Sequence, residues 1–332
     1  MADTPLQQCL YDFGEVFAGK KSGITVPGFM PPAHPLVPEY KSGYAYPEWA
    51  RDVFSWFIHS TEPLFISGPT GCGKSSLVRQ IASRLLYPVY EVTGHARLET
   101  PDLVGHFALH EGSTVWQDGP LTAAMRHGGI LLLDEVDLLD PSTATGLNTV
   151  LDGAPLCIAE TAEVVKPHPG FRFIATANTF GSGDDSGLYQ GTLRLNAAFM
   201  DRFVCVEADY LPEPVEADLI AKLCPDLPHD VRKGIVRFAS LVRGLHKRDD
   251  STLEVLSKVS GAEALDLPLS TRSLLRWARW VTVSKPLAKA GINPTKHALY
   301  RAFGFRCDTM GRRVLDELLQ RAFGETSKNK ED

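Results

Sequence analysis

The sequence predicts an α/β fold, with a parallel sheet between helices and a separate all-helical domain after it. Three observations lead to this prediction. Continuous apolar runs alternate with helical patterns over residues 45–211, which is typical of a parallel sheet covered on both faces. A glycine-rich loop joins the first apolar run to a helix. Beyond residue 211 the apolar spacing is helical throughout, at residues 215–223, 231–245, 269–283 and 297–323.

The glycine-rich loop fits the phosphate-loop template G-x-x-x-x-G-K-[ST] and has the flanks that this motif requires. An apolar strand at residues 63–67 precedes it, and a helical pattern begins directly after it. Closely spaced glycines let successive backbone N–H groups turn toward a phosphate, and the helix N-terminus adds a positive dipole there. The loop therefore predicts binding of a nucleoside triphosphate. The expected nucleotide contacts are Gly68, Pro69, Thr70, Gly71, Cys72, Gly73, Lys74, Ser75 and Ser76.

Two side chains of this loop carry the expected phosphate chemistry. Lys74 is expected to neutralise the β- and γ-phosphates of the nucleotide. The hydroxyl of Ser75 is expected to ligate Mg²⁺, because this ion prefers oxygen ligands and keeps part of its hydration shell. We interpret Cys72 as one of many side chains that fit its position, and not as a reactive thiol.

The length of the chain indicates more than one domain, since 332 residues exceed the usual size of a single core. We expect an extended arm rich in proline and glycine over residues 1–44, an α/β nucleotide-binding domain over residues 45–211, and a helical lid over residues 212–332. The arm either lies along a neighbouring subunit or is a poorly ordered terminus.

Charge and cysteine usage limit the class of protein. The formal net charge of −6 argues against a surface for duplex nucleic acid, so nucleic acid is not the expected partner. The six cysteines are scattered without a C-x-x-C pair, which suits a reducing compartment. The N-terminus carries no secretion signal, and no run of about 18 apolar residues could span a bilayer. These observations predict a soluble, cytoplasmic protein.

The third predicted strand covers residues 129–135, and its last two residues are the acids Asp134-Glu135. Because the carboxyl ends of parallel strands meet at one edge of a sheet, these acids should lie beside the phosphate loop. Asp134 is expected to hold Mg²⁺ through water, and Glu135 to polarise the attacking water as a general base. A solvated turn is the alternative, and the phosphate loop upstream disfavours it.

Three further polar residues complete the expected site. An apolar strand at residues 171–178 delivers Asn178, whose amide can orient the attacking water. Arg202 precedes a fifth strand and cannot easily reach the phosphates of its own subunit. It is either a surface arginine or a residue that stabilises transition-state charge in a neighbouring subunit. Arg272, near the start of a lid helix, either contacts phosphate from the lid or has a capping or surface role.

Turn residues predict two β-hairpins, one over residues 106–117 within the second helix and one over residues 156–165 before the Asn178 strand. His106 and His110 could share a metal ion only on a helix, so the hairpin favours a surface or packing role. The pair Asp184-Asp185 lacks the spaced acids and the terminal glutamate of a calcium loop. The sequence therefore predicts no metal site other than that for Mg²⁺.

The phosphate loop, Asp134-Glu135, Asn178, Arg202 and Arg272, in this order, resemble the AAA+ ATPases, and the two hairpins resemble those of the MoxR branch. Over residues 45–325 the chain is similar to the CobS-type AAA+ subunit of aerobic cobaltochelatase. The stretches that carry this similarity are His168-Pro169-Gly170-Phe171-Arg172-Phe173, Ala175-Thr176-Ala177-Asn178-Thr179, residues 183–192, Leu269-Ser270-Thr271-Arg272 and Gln320-Arg321-Ala322-Phe323-Gly324. The phosphate loop and residues 115–121 look closer to the AAA+ partners that activate Rubisco or mature nitric oxide reductase.

The resemblance implies a homo-oligomeric ring, commonly a hexamer, that binds ATP and Mg²⁺ and works with a separate protein carrying a von Willebrand A domain. It also implies that ATP hydrolysis drives remodelling or activation of a partner complex, whose client enzyme the sequence does not identify. The chain contains no recognisable cobalt or corrin site, so chelatase chemistry would reside on another subunit.

Two other functions stay open at the level of sequence. One is a motor that acts on nucleic acid, which the acidic second hairpin disfavours because phosphate contact needs basic side chains. The other is a nucleotide-gated scaffold with little turnover.

Overall fold

The computed structural model describes residues 6–181, 183, 191–247, 265 and 267–328. Asp184-Asp185 and most of the stretch 183–192 lie outside these residues. The chain forms two compact units, one of Met1–Pro69 with Gly73–Asp209 and one of Thr70–Cys72 with Tyr210–Asp332. In the described part of the chain no helix is both long enough and apolar enough to cross a membrane.

The first unit begins with an antiparallel pair of strands, β1 (Gln8–Asp12) and β2 (Thr25–Phe29), on either side of helix α1 (Phe13–Ala18). Asp12 organises this connection, since its carboxylate accepts backbone hydrogen bonds from Ser22 at 3.0 Å and from Glu15 at 2.9 Å. These bonds, with that from Ser22 as the largest cause, lower the pKa of Asp12 to about 2.

Within the extended arm expected over residues 1–44, the structure corrects the expectation for residues 8–29. Residues 8–29 form strands and a helix, and Phe29 is 1% exposed with its ring 4.8 Å from that of Tyr87. The ring of Phe17 lies 4.7 Å from that of Phe54. Aromatic contacts between distant parts of the chain hold the segment in place, and they leave no periodic pattern in the sequence.

The core of the first unit is a parallel sheet whose strands are β3 (Leu64–Ser67), β4 (Val89–Thr93), β7 (Gly129–Asp134), β10 (Phe171–Ala177) and β11 (Val204–Glu207). Their spatial order is β11-β3-β10-β7-β4. The five strands predicted from apolar runs are therefore all present. Ala177 pairs with Ser67 and Ala175 pairs with Leu133, so three strands end close together at one edge.

Short helices connect these strands and pack on the sheet. They are α2 (Ala50–His59), α3 (Lys74–Leu85), α4 (Thr100–Val104), α5 (Pro120–His127), α6 (Pro141–Gly146), α7 (Asn148–Leu151) and α8 (Ala197–Met200). Apolar side chains from the strands and helices form a continuous buried cluster that includes Phe65, Leu131, Leu133 and Phe173. The helix signals at residues 141–151 correspond to two consecutive helices, α6 and α7, that meet at Leu147.

Both predicted hairpins are present. The first consists of β5 (Gly105–His110) and β6 (Ser113–Asp118) and lies between α4 and α5. The second consists of β8 (Leu156–Ile158) and β9 (Glu163–Val165) and precedes β10. His106 and His110 lie on β5, where four residues span about 13 Å. They are therefore too far apart to bind one metal ion.

The regular secondary structure of the second unit, over its described residues, consists of helices. Its α-helices are α9 (Glu213–Leu223), α10 (His229–Lys247), α11 (Thr271–Ser284), α12 (Pro294–Ala302) and α13 (Thr309–Lys328), and its 3-10 helices are Lys285–Ala290 and Gly304–Arg306. The single helix expected over residues 297–323 is thus two helices. The carboxylate of Asp308 accepts a 2.7 Å bond from the backbone N–H of Gly311, which starts α13 as a new helix.

A buried ion pair ties three segments of the second unit together. Arg243 on α10 donates two hydrogen bonds to Glu216 on α9, at 2.8 and 2.9 Å, and a third to the carbonyl of Leu269 at 2.8 Å. The hydroxyl of Thr271, the first residue of α11, donates to Glu216 at 2.6 Å. Glu216 is 1% exposed, so this network is sheltered from water. It fixes the point at which α11 begins.

We expect Arg243→Met to destabilise the second unit by about 3–5 kcal/mol, because the buried carboxylate of Glu216 loses its counterion. Hydrogen exchange of the amides of α11, followed by mass spectrometry, measures this loss in the full chain. The double variant Glu216→Leu with Arg243→Met should be more protected than Arg243→Met alone, since it buries no unpaired charge. Asp218→Asn, at an exposed position of α9, is the control. Equal protection in Arg243→Met and the native chain would contradict the assignment.

Candidate functional site

The phosphate loop connects β3 to α3, and glycine is required at both of its ends. Gly73 precedes α3 with a φ of 109°, which residues with a side chain rarely adopt. A Cβ atom on Gly68 would overlap the backbone carbonyl of Ala208. Among the described residues, the nearest atom to a Cβ on Gly73 is the hydroxyl of Tyr44, at 3.8 Å. The backbone beside α3 is therefore open enough to receive a phosphate group.

Lys74 joins this loop to the end of β10. Its side chain is largely buried, with 8% of the residue exposed. The ammonium donates to the carbonyls of Gly68 and Pro69 at 2.6 and 3.2 Å and to Oδ1 of Asn178 at 3.1 Å. Two residues that are 104 positions apart in the chain thus lie in direct contact, as the parallel sheet predicted.

Ser75 and Asp134 also lie in direct contact. The hydroxyl of Ser75 donates to Oδ2 of Asp134 at 2.8 Å, and the hydroxyl of Thr176 donates to Oδ1 of the same carboxylate. Hydroxyl and carboxylate oxygens are the ligands that Mg²⁺ prefers, so this group of atoms fits the expected ion. Thr176 was not among the site residues predicted from the sequence. A polar residue in a buried strand, two positions before Asn178 and on the same face, was the available signal.

Glu135 follows the last residue of β7 in a left-handed backbone conformation, with φ 58° and ψ 43°. Few residues other than glycine adopt it, and such strain is often found at functional sites. The residue is exposed, and a one-turn 3-10 helix, Val136–Leu138, begins directly after it. An exposed carboxylate at the carboxyl edge of the sheet can accept a proton from water.

Asp137, within that 3-10 helix, contacts the two residues that follow the neighbouring strand, β10. Its Oδ2 accepts backbone hydrogen bonds from Asn178 at 2.9 Å and from Thr179 at 3.2 Å. Burial raises the pKa of Asp137, and these hydrogen bonds oppose the shift. Asp137 was not among the site residues predicted from the sequence. The third acid in Asp134-Glu135-Val136-Asp137 was its only signal, and acids near a strand end are common in solvated turns.

Arg202 lies at the amino ends of the parallel strands, and the phosphate loop lies at their carboxyl ends. It precedes β11, whose first residue, Val204, pairs with Leu64 at the start of β3. The loop follows the other end of β3, about 13 Å along the strand. Arg202 is therefore not brought together with Lys74, Ser75, Asp134 and Asn178.

At its own edge, Arg202 forms a two-bond ion pair with Asp152. The guanidinium donates to the two carboxylate oxygens at 2.8 and 3.1 Å, and it also contacts the carbonyl of Ala198. Both residues line a cavity of about 980 Å³ that is also bordered by His168 and Asp201. This edge thus presents an arginine beside an open space.

Arg272 belongs to the second unit. It is the second residue of α11 and its side chain is exposed. The hydroxyl of Ser270 caps this helix by accepting the backbone N–H of Ser273 at 3.1 Å. The cap of α11 is therefore a serine, and the alternative in which Arg272 caps the helix is not needed.

Comparisons with known proteins identify relatives across most of the chain. The AAA domain (dynein-related subfamily) matches residues 63–203. The aerobic cobaltochelatase subunit CobS of Sinorhizobium sp is 31% identical over 309 residues, which are 87% of this chain and 86% of that protein. Protein NorQ of Paracoccus denitrificans (strain Pd 1222) is 38% identical over 200 residues, which are 59% of this chain and 70% of that protein. Protein CbbQ of Hydrogenophilus thermoluteolus is 34% identical over 161 residues, which are 48% and 57% of the two chains.

These similarities agree with the fold and with the arrangement of polar residues at the sheet edge. The AAA domain match includes the phosphate loop, Asp134-Glu135, Asn178 and Arg202. The similarity to CobS extends beyond that domain, because it covers 87% of the chain. The chain therefore belongs to the MoxR branch of the AAA+ ATPases.

Proposed function

We propose that this ATPase hydrolyses ATP at the carboxyl edge of its parallel sheet and uses the reaction to remodel or activate a partner complex. The observation that carries the proposal is the pair of contacts that joins three separate motifs. Lys74 bonds to Asn178 at 3.1 Å and Ser75 bonds to Asp134 at 2.8 Å. A chain that only needed to bury these strands would not require four polar side chains to meet at one edge.

Each residue of this edge receives a role in the proposal. The loop amides and Lys74 bind the phosphates, and Asn178 orients the attacking water. Glu135 accepts the proton of that water as the general base. Ser75 and Asp134 would hold Mg²⁺, which supplies charge neutralisation at the phosphates. Arg272 is the further proposed phosphate ligand.

The proposal assigns Arg202 to the site of a neighbouring subunit in a homo-oligomeric ring. Its position at the opposite edge from its own phosphate loop supports this role, as does the cavity of about 980 Å³ beside it. The carboxylate of Asp152, which pairs with Arg202, is 53% exposed. Arg202 can therefore leave Asp152 and bind the phosphates of a neighbouring subunit at little cost in free energy. Arginine suits this task because its planar guanidinium binds phosphate oxygens in pairs.

The two hairpins are the proposed contact with the partner. Arg126 on α5 links them, since it donates to Asp118 at the end of the first hairpin at 2.8 Å and to Glu163 in the second at 3.0 Å. Phe107 and Leu109 on the first hairpin are 51% and 79% exposed. Joined hairpins with an apolar surface can transmit movement of the ATPase domain to a bound protein.

The proposed partner is a protein with a von Willebrand A domain, which acts together with a client enzyme. The similarity to a cobaltochelatase subunit over 86% of that protein favours a chelatase-type client, and the similarity to NorQ and CbbQ favours other enzymes. Nucleic acid is disfavoured as a substrate. The second hairpin, residues 156–165, contains no lysine or arginine, and Glu163 is paired with Arg126.

We expect Glu135→Gln to keep ATP bound and to lower turnover by about 10²–10⁴-fold, because it removes the general base but not the phosphate contacts. Lys74→Ala should instead weaken ATP binding, since it removes the buried ammonium. Steady-state phosphate release and titration with a fluorescent ATP analogue separate the two effects. Turnover by Glu135→Gln at the native rate would show that Glu135 is not the base.

We expect Arg202→Ala to bind ATP normally and to lose turnover by about 10³–10⁵-fold, as expected for an arginine that acts in trans. An equimolar mixture of Arg202→Ala and Glu135→Gln should recover part of the activity. In mixed rings some sites have an intact Glu135 facing an intact Arg202 of the neighbour. Arg51→Ala, at an exposed arginine of α2, is the control and should turn over normally. A mixture without recovered activity would exclude the role in trans.

We expect tagged Glu135→Gln with ATP to retain its partner during affinity capture from native lysate, because the stalled state persists. Mass spectrometry should identify a von Willebrand A protein together with its client enzyme. Lys74→Ala is the matched control, since it shares the fold but should not reach the ATP state. Recovery of DNA-processing proteins by Glu135→Gln alone would replace this proposal with a motor acting on nucleic acid.

A further inference from the structure

We propose that Asp137 is a positioning residue for ATP hydrolysis, which holds Asn178 and the Glu135 turn in fixed relation to each other. The inference rests on the proposed roles of Glu135 and Asn178. Asp137 would act through its neighbours, because the hydrogen bonds of its carboxylate run to Asn178 and Thr179.

The contacts of Asp137 converge on the end of β10. Its Oδ2 accepts the backbone N–H of Asn178 at 2.9 Å, and the backbone N–H and hydroxyl of Thr179 at 3.2 and 3.3 Å. Its backbone carbonyl accepts the N–H of Leu193 at 2.7 Å. One carboxylate oxygen therefore anchors both residues that follow the strand, including the one whose amide faces Lys74.

Burying the carboxyl group of Asp137 costs free energy, because one of its oxygens lacks a hydrogen bond within the described part of the chain. The residue is fully buried, and its Oδ1 has no hydrogen-bond partner among the described residues. Buried carboxylates are disfavoured unless their oxygens are satisfied, and burial raises the pKa of this one. A neutral apolar side chain would fill the same space without this penalty. The bonds to the Asn178 segment are what an apolar residue could not provide.

Asp137 also lies on the turn that carries Glu135. The 3-10 helix Val136–Leu138 follows Glu135 directly, and the N–H of Leu138 donates to the carbonyl of Glu135 at 3.0 Å. The left-handed conformation of Glu135 persists only if its surroundings hold it. Anchoring Asp137 to the end of β10 holds this turn from one side, while Val136, fully buried, holds it from the other. The proposed base and the proposed water-orienting amide are thereby linked through one carboxylate.

Two variants of Asp137 test the role. Asp137→Ala removes the acceptor, and we expect a fall in kcat of about 10- to 100-fold, since a small misplacement of reacting groups has effects of this size. The affinity for a fluorescent ATP analogue should stay within about threefold of the native value, because Lys74 and the loop remain. Asp137→Asn keeps one acceptor oxygen for Asn178 and should retain most of the turnover.

Asp140→Ala is the matched control. Asp140 lies three residues further along, is exposed, and caps α6 by accepting the N–H of Ser142 at 2.8 Å. Its loss weakens the same region of the fold without touching Asn178. We expect kcat within about twofold of the native chain. A fall in kcat for Asp140→Ala as large as that for Asp137→Ala would show that the effect is general destabilisation and would overturn the inference.

A double-mutant cycle separates positioning from a merely structural effect. Turnover of Asn178→Ala, Asp137→Ala and the combined variant is measured under single-turnover conditions. If Asp137 acts through Asn178 and the Glu135 turn, the fold-loss of the combined variant is smaller than the product of the two single fold-losses. Additive losses, a native kcat for Asp137→Ala, or a parallel loss of nucleotide affinity would each overturn the inference. If Asn178→Ala and Glu135→Gln both turn over at the native rate, the proposed function fails, and it fails independently of Asp137.

Discussion

The parallel register of the central sheet is the constraint on which the rest of the site depends. Because Ser67 pairs with Ala177 and Leu133 pairs with Ala175, three strands end at one edge and deliver the phosphate loop, Asp134 and Asn178 together. The same register sends Arg202 to the other edge, at the start of β11. A single chain thus carries the two halves of the proposed site at opposite ends of its parallel strands, which is why the proposed reaction requires a neighbouring subunit.

Polar groups at the carboxyl edge satisfy each other across long stretches of chain. Asp134 accepts from Ser75 and Thr176, Lys74 donates to Asn178, and Asp137 accepts from the backbone of Asn178. Because a buried polar group without a partner is costly, such a network admits few alternative geometries. The contacts among these side chains therefore fix the geometry of the edge, which lowers the reorganisation that catalysis requires.

In the second unit, too, buried polar groups satisfy each other, here through an ion pair between a carboxylate and a guanidinium. The pair of Glu216 and Arg243, with the hydroxyl of Thr271, fixes where α11 begins, one residue before Arg272. An ion pair of this kind stabilises little in itself, yet removal of one partner leaves a buried charge. Its value lies in specifying the start of the helix. A more exposed group of ion pairs joins the two hairpins of the first unit, where Arg126 bonds to Asp118 and to Glu163.

The sequence by itself determined the elements that depend on local chemistry: the phosphate loop, the five apolar strands, the hairpin turns, and the residue types at the strand ends. Backbone conformation and burial leave periodic or short-range patterns, so these features could be read without a structure. Tertiary structure alone decided the fold of residues 8–29, the break that separates α12 from α13, the pairing of Arg202 with Asp152, and the anchoring of Asn178 by Asp137. Each of these depends on which side chain meets which across the fold, and spacing along a single chain carries no record of such partners.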